Sequence, residues 1–350
     1  MKKVRLGTSD LEVSEVCLGS MTWGKQNSLD NAFEQIDFAL DQGINFIDTA
    51  EMYPVPPQPE LSGDTERYIG KWLKANPQKR DGLVIASKMV GAGLPWIREG
   101  RPISGADLKT ALEGSLQRLN LECIDVYQLH WPNRTSPHFG KHWPGMVPHT
   151  TVDRARQEEE MLDILNSLQT CIDEGKIKHF GLSNDTPWGI GEYVRLSEKH
   201  QLPRPVSVQN EFNLIHAKDS PYVLESCVLE GLAYLPWSPL AGGVLSGKYR
   251  NGQKPEGARW SLSQRNGLFR DQSQTHEAIE HYLQIAERHH ITLAQLALYW
   301  VYQTEGVTST IIGATSLDQL KENIDAYYLK PSADLMEEVN QVFKAYPAPF

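Results

Sequence analysis

Asn45-Phe46-Ile47-Asp48-Thr49-Ala50-Glu51-Met52-Tyr53 decides how the rest of the chain is read. A short apolar run ends in an acid, and a tyrosine follows shortly after. The same pattern recurs in Val84-Ile85-Ala86-Ser87-Lys88 and in Val126-Tyr127-Gln128-Leu129-His130-Trp131. Each run reads as a buried parallel strand with a polar or ionisable group at its C-terminal end. In a closed barrel of such strands, those ends converge on one mouth, where barrel enzymes keep their chemistry.

Outward from this stretch, strands are expected at 16–18, 45–47, 83–86, 124–129, 178–182, 206–209, 232–236 and 310–312. Amphipathic helices are expected at 29–42, 65–75, 105–119, 157–174, 188–199, 221–229 and 316–327, with a surface helix at 332–345. Strand–helix alternation implies a parallel sheet. Eight repeats fit an α/β fold of the (β/α)8 TIM-barrel kind better than an open doubly wound sheet. Gly43 and Gly175 stand where a helix-ending glycine belongs. Ser316-Leu317-Asp318-Gln319 offers a capping box. Three segments depart from the repeat. Leu6 to Val13 reads as an N-terminal β-hairpin plugging the barrel floor. Residues 131–153, rich in proline and histidine, read as a long loop after strand four. Residues 241–274 read as a second long loop after strand seven. Loops of that length are usually functional or disordered. No domain linker is evident, so residues 1–350 read as a single domain.

With 350 residues, 40% of them hydrophobic, the chain can bury a large core. Its formal charge is 34 − 44 = −10, which argues against nucleic acid or an anionic membrane as partner. Cys17, Cys123, Cys171 and Cys227 form no C-x-x-C pair and read as buried reduced thiols. No signal peptide is visible, and no apolar run reaches the roughly 18 residues of a membrane helix. A cytoplasmic protein is expected, with its oligomeric state open.

The strand-end residues suggest proton transfer to a carbonyl oxygen. A free tyrosine has a pKa of about 10 and is a poor donor at neutral pH. A cation at Lys88 would ease release of the Tyr53 proton. Asp48 would hold Lys88, and His130 would orient the carbonyl. Such a reduction needs a hydride source, yet no G-x-G-x-x-G follows a strand, so a Rossmann site is not supported. Gly181-Leu182-Ser183-Asn184 and Val208-Gln209-Asn210 instead place amides and a hydroxyl at the mouth, which suits a carboxamide. Trp237 offers a flat face for stacking. Ser238-Pro239-Leu240-Ala241-Gly242-Gly243-Val244-Leu245-Ser246-Gly247-Lys248 offers backbone N–H groups, hydroxyls and a lysine, which suit a pyrophosphate. Gln319, Glu322 and Asn323 share a helical face that could meet adenine and ribose. His138, His142 and His149 raise a metal reading, but no cysteine or well-placed third ligand accompanies them, and no metal is expected.

These motifs carry a resemblance. Phe46 to Tyr53, Lys88, His130, Gly181-Leu182-Ser183-Asn184 and Trp237-Ser238-Pro239-Leu240 follow the order found in the aldo-keto reductases, which the sequence resembles over nearly its whole length. Trp237 to Tyr249 and Gly313 to Asn323 are also similar to the potassium-channel β-subunit branch. The resemblance implies a barrel that binds NADP(H) in extended form and reduces a small-molecule carbonyl substrate. It implies Tyr53 as proton donor, Lys88 and Asp48 as its activators, and His130 as the orienting group. It also implies cofactor contacts. Ser20, Met21 and Asp48 would meet the cofactor after the first two barrel strands. Ser183, Asn184 and Gln209 would hold the nicotinamide amide, with Trp237 stacked on the ring. Residues 238–247, with Lys248 and Arg259, would line the pyrophosphate. Gly313, Thr315, Gln319, Glu322 and Asn323 would surround the adenosine end.

Two departures from the family pattern stand out. Pro54-Val55-Pro56-Pro57-Gln58-Pro59-Glu60 replaces a short Gly-rich turn. Thr315, Ser316 and Gln319 stand where some members carry an arginine for the 2′-phosphate. The resemblance supports an NADPH-dependent reductase of aldehydes or ketones, with Trp23, Trp96 and Trp131 as candidate rim aromatics. The alternative is an NADP(H)-binding regulatory subunit with little turnover.

Overall fold

The computed structural model describes residues 1–262 and 268–350. Two antiparallel strands, β1 (Lys3–Arg5) and β2 (Glu12–Ser14), open the chain. There follow β3 (Val16–Gly19), β4 (Phe46–Asp48), β5 (Val84–Met89), β6 (Ile124–Leu129), β7 (Ile177–Ser183), β8 (Ser207–Gln209), β9 (Ala233–Tyr234) and β10 (Thr310–Ile312). These eight form a parallel sheet in the order β10-β3-β4-β5-β6-β7-β8-β9. A parallel bridge between Tyr234 and Val307 spans the remaining gap. Backbone bonds from Thr308 N to Tyr234 O and from Ile311 N to Pro236 O, both 2.9 Å, reinforce it. The sheet thereby curls into the expected (β/α)8 barrel.

Helices α1 (Leu29–Asp41), α2 (Asp64–Ala75), α3 (Gly105–Leu119), α4 (Arg154–Asp173), α5 (Pro187–His200) and α6 (Tyr222–Glu230) follow successive barrel strands. The side chains of Ser28, Ser104, Asp153 and Thr186 accept from the first-turn backbone of α1, α3, α4 and α5. That satisfies donors a helix start leaves open. The Asp153 cap explains why α4 begins three residues before the expected 157. After β9 come α7 (Arg259–Leu262), α8 (Ser273–Arg288) and α9 (Leu293–Gln303), then α10 (Leu317–Asp325) and α11 (Asp334–Ala345). The expected loop over 241–274 therefore contains α7 and the start of α8, and part of it, 263–267, lies outside the described residues. Among the described residues no helix is long and apolar enough to cross a membrane.

Side-chain parity builds the mouth. Along a strand, alternate residues face the same side. On β4, Phe46 faces the barrel interior, Ile47 joins the outer core beneath the helices, and Asp48 faces inward again. On β5, Val84 and Ala86 face inward, which puts Lys88 on the same side. On β6, Val126 faces inward, and Gln128 and His130 share its parity. The floor is filled by Leu6, Leu11 and Val13 of the hairpin, packed with Cys17, Phe46, Val126 and Leu235. The hairpin thus plugs the barrel as expected, although its strands are Lys3–Arg5 and Glu12–Ser14, so most of the 6–13 stretch read as the hairpin is the turn between them. Apolar side chains close the bottom, and the polar members of the same rows are left near the top.

Candidate active site

Asp48 and Lys88 meet in the fully buried layer above that floor. Lys88 Nζ donates to Asp48 Oδ2 at 2.6 Å and to Thr49 O at 2.8 Å. Asp48 Oδ1 accepts from Gln209 Nε2 at 2.8 Å and from Gln128 Nε2 at 3.1 Å. A buried ion pair is tolerable only when its remaining lone pairs and protons are satisfied in this way. Burial is the largest single effect and pulls the Lys88 ammonium towards its neutral form, but the Asp48 carboxylate together with the smaller pull of Tyr53 outweighs it, and the pKa of Lys88 rises above its ordinary value. Gln128 was not foreseen as part of the site. Its inward parity on β6, two residues before His130, is the signal that would have found it.

The Lys88 ammonium stands 5.0 Å from the centre of the Tyr53 ring. The pKa of Tyr53 is raised, because burial outweighs the lowering effect of Lys88. Lys88 thus acts on this phenol in the expected direction, and burial opposes it with a larger effect. The sequence places a cation beside it but does not reveal how completely the oxygen is withdrawn from water. The His130 ring meets Tyr53 edge-on, centroids 5.8 Å apart. Burial, with the Lys88 charge second, holds His130 well below its ordinary pKa, so the imidazole is neutral. Its Nδ1 is buried without a partner among the described residues.

A cavity of about 610 Å³ runs from these residues past the ends of β7, β8 and β9 to the start of α10. Ser20 and Met21 line it, and the Ser20 hydroxyl donates to Asp48 O at 2.7 Å. Asn184 and Gln209 line it, but Ser183 does not. Ser183 is buried and its hydroxyl donates to Gln209 O at 2.8 Å. Asn184 Nδ2 is occupied by His130 O at 2.8 Å and Ser183 Oγ at 3.0 Å, while Asn184 Oδ1 accepts from Trp237 Nε1 at 3.2 Å. Gln209 Nε2 is occupied by Asp48 and Gln128, and no described residue donates to its Oε1.

Of the segment 238–247, Ser238, Pro239, Leu240, Gly242, Gly243 and Ser246 reach the cavity. Ala241, Val244 and Leu245 do not. They are buried in the outer core, because the compact turns there point their apolar side chains away from the mouth. Gly247 also lies off the cavity, at the end of that turn with φ +77°. Gly243 has φ +95°, and a Cβ there would lie 2.7 Å from Lys248 Cε. Only glycine brings the backbone this close to the lysine stem without pushing it aside. Lys248 and Arg259 line the cavity, with no carboxylate partner among the described residues. Burial lowers the pKa of each, with Arg259 adding to the effect at Lys248 and Arg270 adding to it at Arg259.

Gly313, Thr315, Gln319, Glu322 and Asn323 line the far end. Ser316 caps α10, but the Gln319 side chain reaches back to Thr315 N at 3.0 Å rather than to its own cap, so half of the expected box forms. Glu322 accepts from Thr292 Oγ1 at 2.6 Å, and Asn323 donates to Gly313 O at 3.1 Å.

Other expectations fare differently. Trp23 is wholly buried and bonded to Gln35, and Trp96 bonds to Ser62. None of the three candidate rim tryptophans lines the cavity, and Trp131 packs against the lining residue His130 with centroids 4.9 Å apart. Among the described residues no three His, Cys, Asp or Glu side chains come together as a metal site. His142 Nε2 instead meets Phe350 O at 3.0 Å. The structure also adds lining residues the sequence did not suggest. Phe139 comes from the long loop after β6, and Glu211 and Arg270 form a buried ion pair across the mouth. Together, the cavity holds a neutral imidazole and a protonated phenol at one end, two unpaired cations midway, and polar helix residues at the other.

The sequence pattern of the Aldo/keto reductase family matches residues 15–344. "Protein tas" of Escherichia coli is 41% identical over 357 residues, covering all of both chains. The "Uncharacterized oxidoreductase YrpG" of Bacillus subtilis is 28% identical over 98% of this chain and 96% of its own. An "Aldo-keto reductase" of Babesia bovis is 36% identical over 74% of this chain and 95% of its own. On these matches the chain belongs to the aldo/keto reductase family, oxidoreductases whose general reaction is NAD(P)H-dependent reduction of small carbonyl compounds.

Proposed function

We propose that this protein reduces aldehydes or ketones with NADPH, the carbonyl oxygen lying between the Tyr53 hydroxyl and the His130 ring. One observation carries the reading. An ammonium paired with a buried carboxylate stands beside a buried phenol at the end of a large cavity. The cofactor, when bound, supplies the hydride. The two cations without acid partners fit its pyrophosphate, and NADPH over NADH follows the resemblance to the channel-subunit branch. Gln209 Oε1, to which no described residue donates, and the second lone pair of Asn184 Oδ1 are the acceptors for the carboxamide N–H groups, and Trp237 is the stacking face. Ser183 acts one step back, by holding Asn184. Thr315, Gln319, Glu322 and Asn323 take the adenosine end.

Tyr53 donates its proton to the oxygen as negative charge develops there. Lys88 stabilises the phenolate left behind, and Asp48 keeps Lys88 charged. His130, neutral, donates one ring N–H to the same oxygen. General acid catalysis of this kind contributes roughly 10²- to 10⁴-fold. Tyr53→Phe should lose that much in kcat with 4-nitrobenzaldehyde while still quenching on NADPH addition. Retention of the rate in this variant would sink the assignment. No turnover by the wild type across a varied carbonyl panel, with cofactor bound, would favour the regulatory-subunit alternative.

A further inference from the structure

We propose that Phe139 is a specificity-determining residue that selects carbonyl compounds carrying a flat aromatic ring. This deepens the reductase reading above and rests on it. Five rings contact one another in a continuous chain, and four of them, Tyr53, His130, Phe139 and Trp237, line the cavity. Tyr53 meets His130 at 5.8 Å, His130 meets Trp131 at 4.9 Å, Trp131 meets Phe139 edge-on at 6.0 Å, and Phe139 lies 29° from the Trp237 plane at 6.1 Å. Phe139 is the one of these five that comes from the tip of a loop. It lines the cavity, yet half of its surface stays uncovered. An uncovered ring on a pocket wall is surface that an apolar ligand can take out of water.

The ring is not placed there by chance packing of a loose loop. Phe139 holds φ +57°, a conformation bulky residues adopt rarely and at a cost in backbone energy. Gly140 follows at φ +83°, and a Cβ on it would lie 3.2 Å from the Phe269 ring. The buried His138 on one side and the His142–Phe350 contact on the other fix the turn. A left-handed pair between two anchors aims the phenyl group at the cavity.

A ring attached to the bound carbonyl would gain offset or edge contacts with Phe139. A saturated ring of the same size would fill the same space without them. Aromatic pairing of this kind corresponds to roughly 3- to 10-fold in an equilibrium. The test compares benzaldehyde with cyclohexanecarbaldehyde, using NADPH-loaded protein and reading kcat/KM for each. The ratio of benzaldehyde to cyclohexanecarbaldehyde should fall by that factor in Phe139→Leu, which keeps bulk but has no π face, and in Phe139→Ala. Phe139→Trp should keep it, and the change should sit in KM. A ratio unmoved in both Phe139→Leu and Phe139→Ala, with both aldehydes still reduced, overturns this proposal and leaves the reductase reading standing. If the wild type oxidises NADPH with neither aldehyde, the reductase reading falls, and this proposal with it.

Discussion

Tyr53 is held protonated, and that changes what Lys88 is for. Burial raises the phenol's pKa and Lys88 pulls it part of the way back, so in the proposed reaction the proton would stay in place until a developing alkoxide claims it. The signs fix a pH profile. The donor is active when protonated, so its contribution is lost as pH rises through a pKa above the ordinary 10.0. His130 is active when neutral, so its contribution is lost as pH falls through a pKa well below the ordinary 6.5. The kcat/KM of carbonyl reduction should therefore show no inflection near 6.5 from His130 and no alkaline limb below 10. A limb near 6.5 that disappears in His130→Gln would refute the burial argument. Asp48, Lys88 and His130 were legible because strand parity is a local property. Glu211 and Arg270 were not, since a pair 59 positions apart in sequence leaves no local pattern. The sign of the Tyr53 shift was also out of reach, because desolvation depends on everything packed around the group.

At the scale of elements, the hairpin and the barrel depend on each other through one glycine. Gly7 follows β1 with φ +57°, and a Cβ on it would stand 2.2 Å from Val206 O, a backbone atom that cannot swing aside. The turn needs both the left-handed conformation and the missing side chain. Gly7→Ala should therefore lower stability by about 2–3 kcal/mol, within the range of strained backbone substitutions. A shift in the urea midpoint with unchanged slope would register it, and a shift below experimental error would show that the hairpin is not anchored there. The hairpin was readable because two short strands with a turn leave a local signature. The helices α8 and α9 were missed for the opposite reason. They interrupt the strand–helix alternation, and α9 (Leu-Ala-Gln-Leu-Ala-Leu-Tyr-Trp-Val-Tyr-Gln) is apolar nearly all round, so it lacks the one-sided stripe that marks a surface helix. Its Thr292–Gln295 capping box was the sign available.

At the scale of the whole molecule, an acidic protein must attract an acidic cofactor. The net charge of −10 repels NADPH at long range, and the repulsion is screened beyond about 8 Å at physiological salt. Inside the cavity the balance reverses. Burial pushes Lys248 and Arg259 towards neutrality, helped by Arg259 at Lys248 and by Arg270 at Arg259, so the anion proposed to bridge them would relieve both. Binding to the folded state alone adds about 2.7 kcal/mol at a hundred times the dissociation constant. With an unfolding entropy of roughly 2.1 cal/mol/K per residue, that corresponds to a Tm increase of about 4 °C for a chain of this length. Removing one charge-assisted contact, worth about 1.5–3 kcal/mol, should weaken NADPH roughly 10- to 100-fold. In Arg259→Ala the same NADPH concentration should then raise Tm by about 2 °C or less. Added salt should erode the wild-type increment more than the variant's, since the variant has one fewer charge to screen. An Arg259→Ala protein that gains as much Tm from NADPH as the wild type would remove Arg259 from the phosphate site.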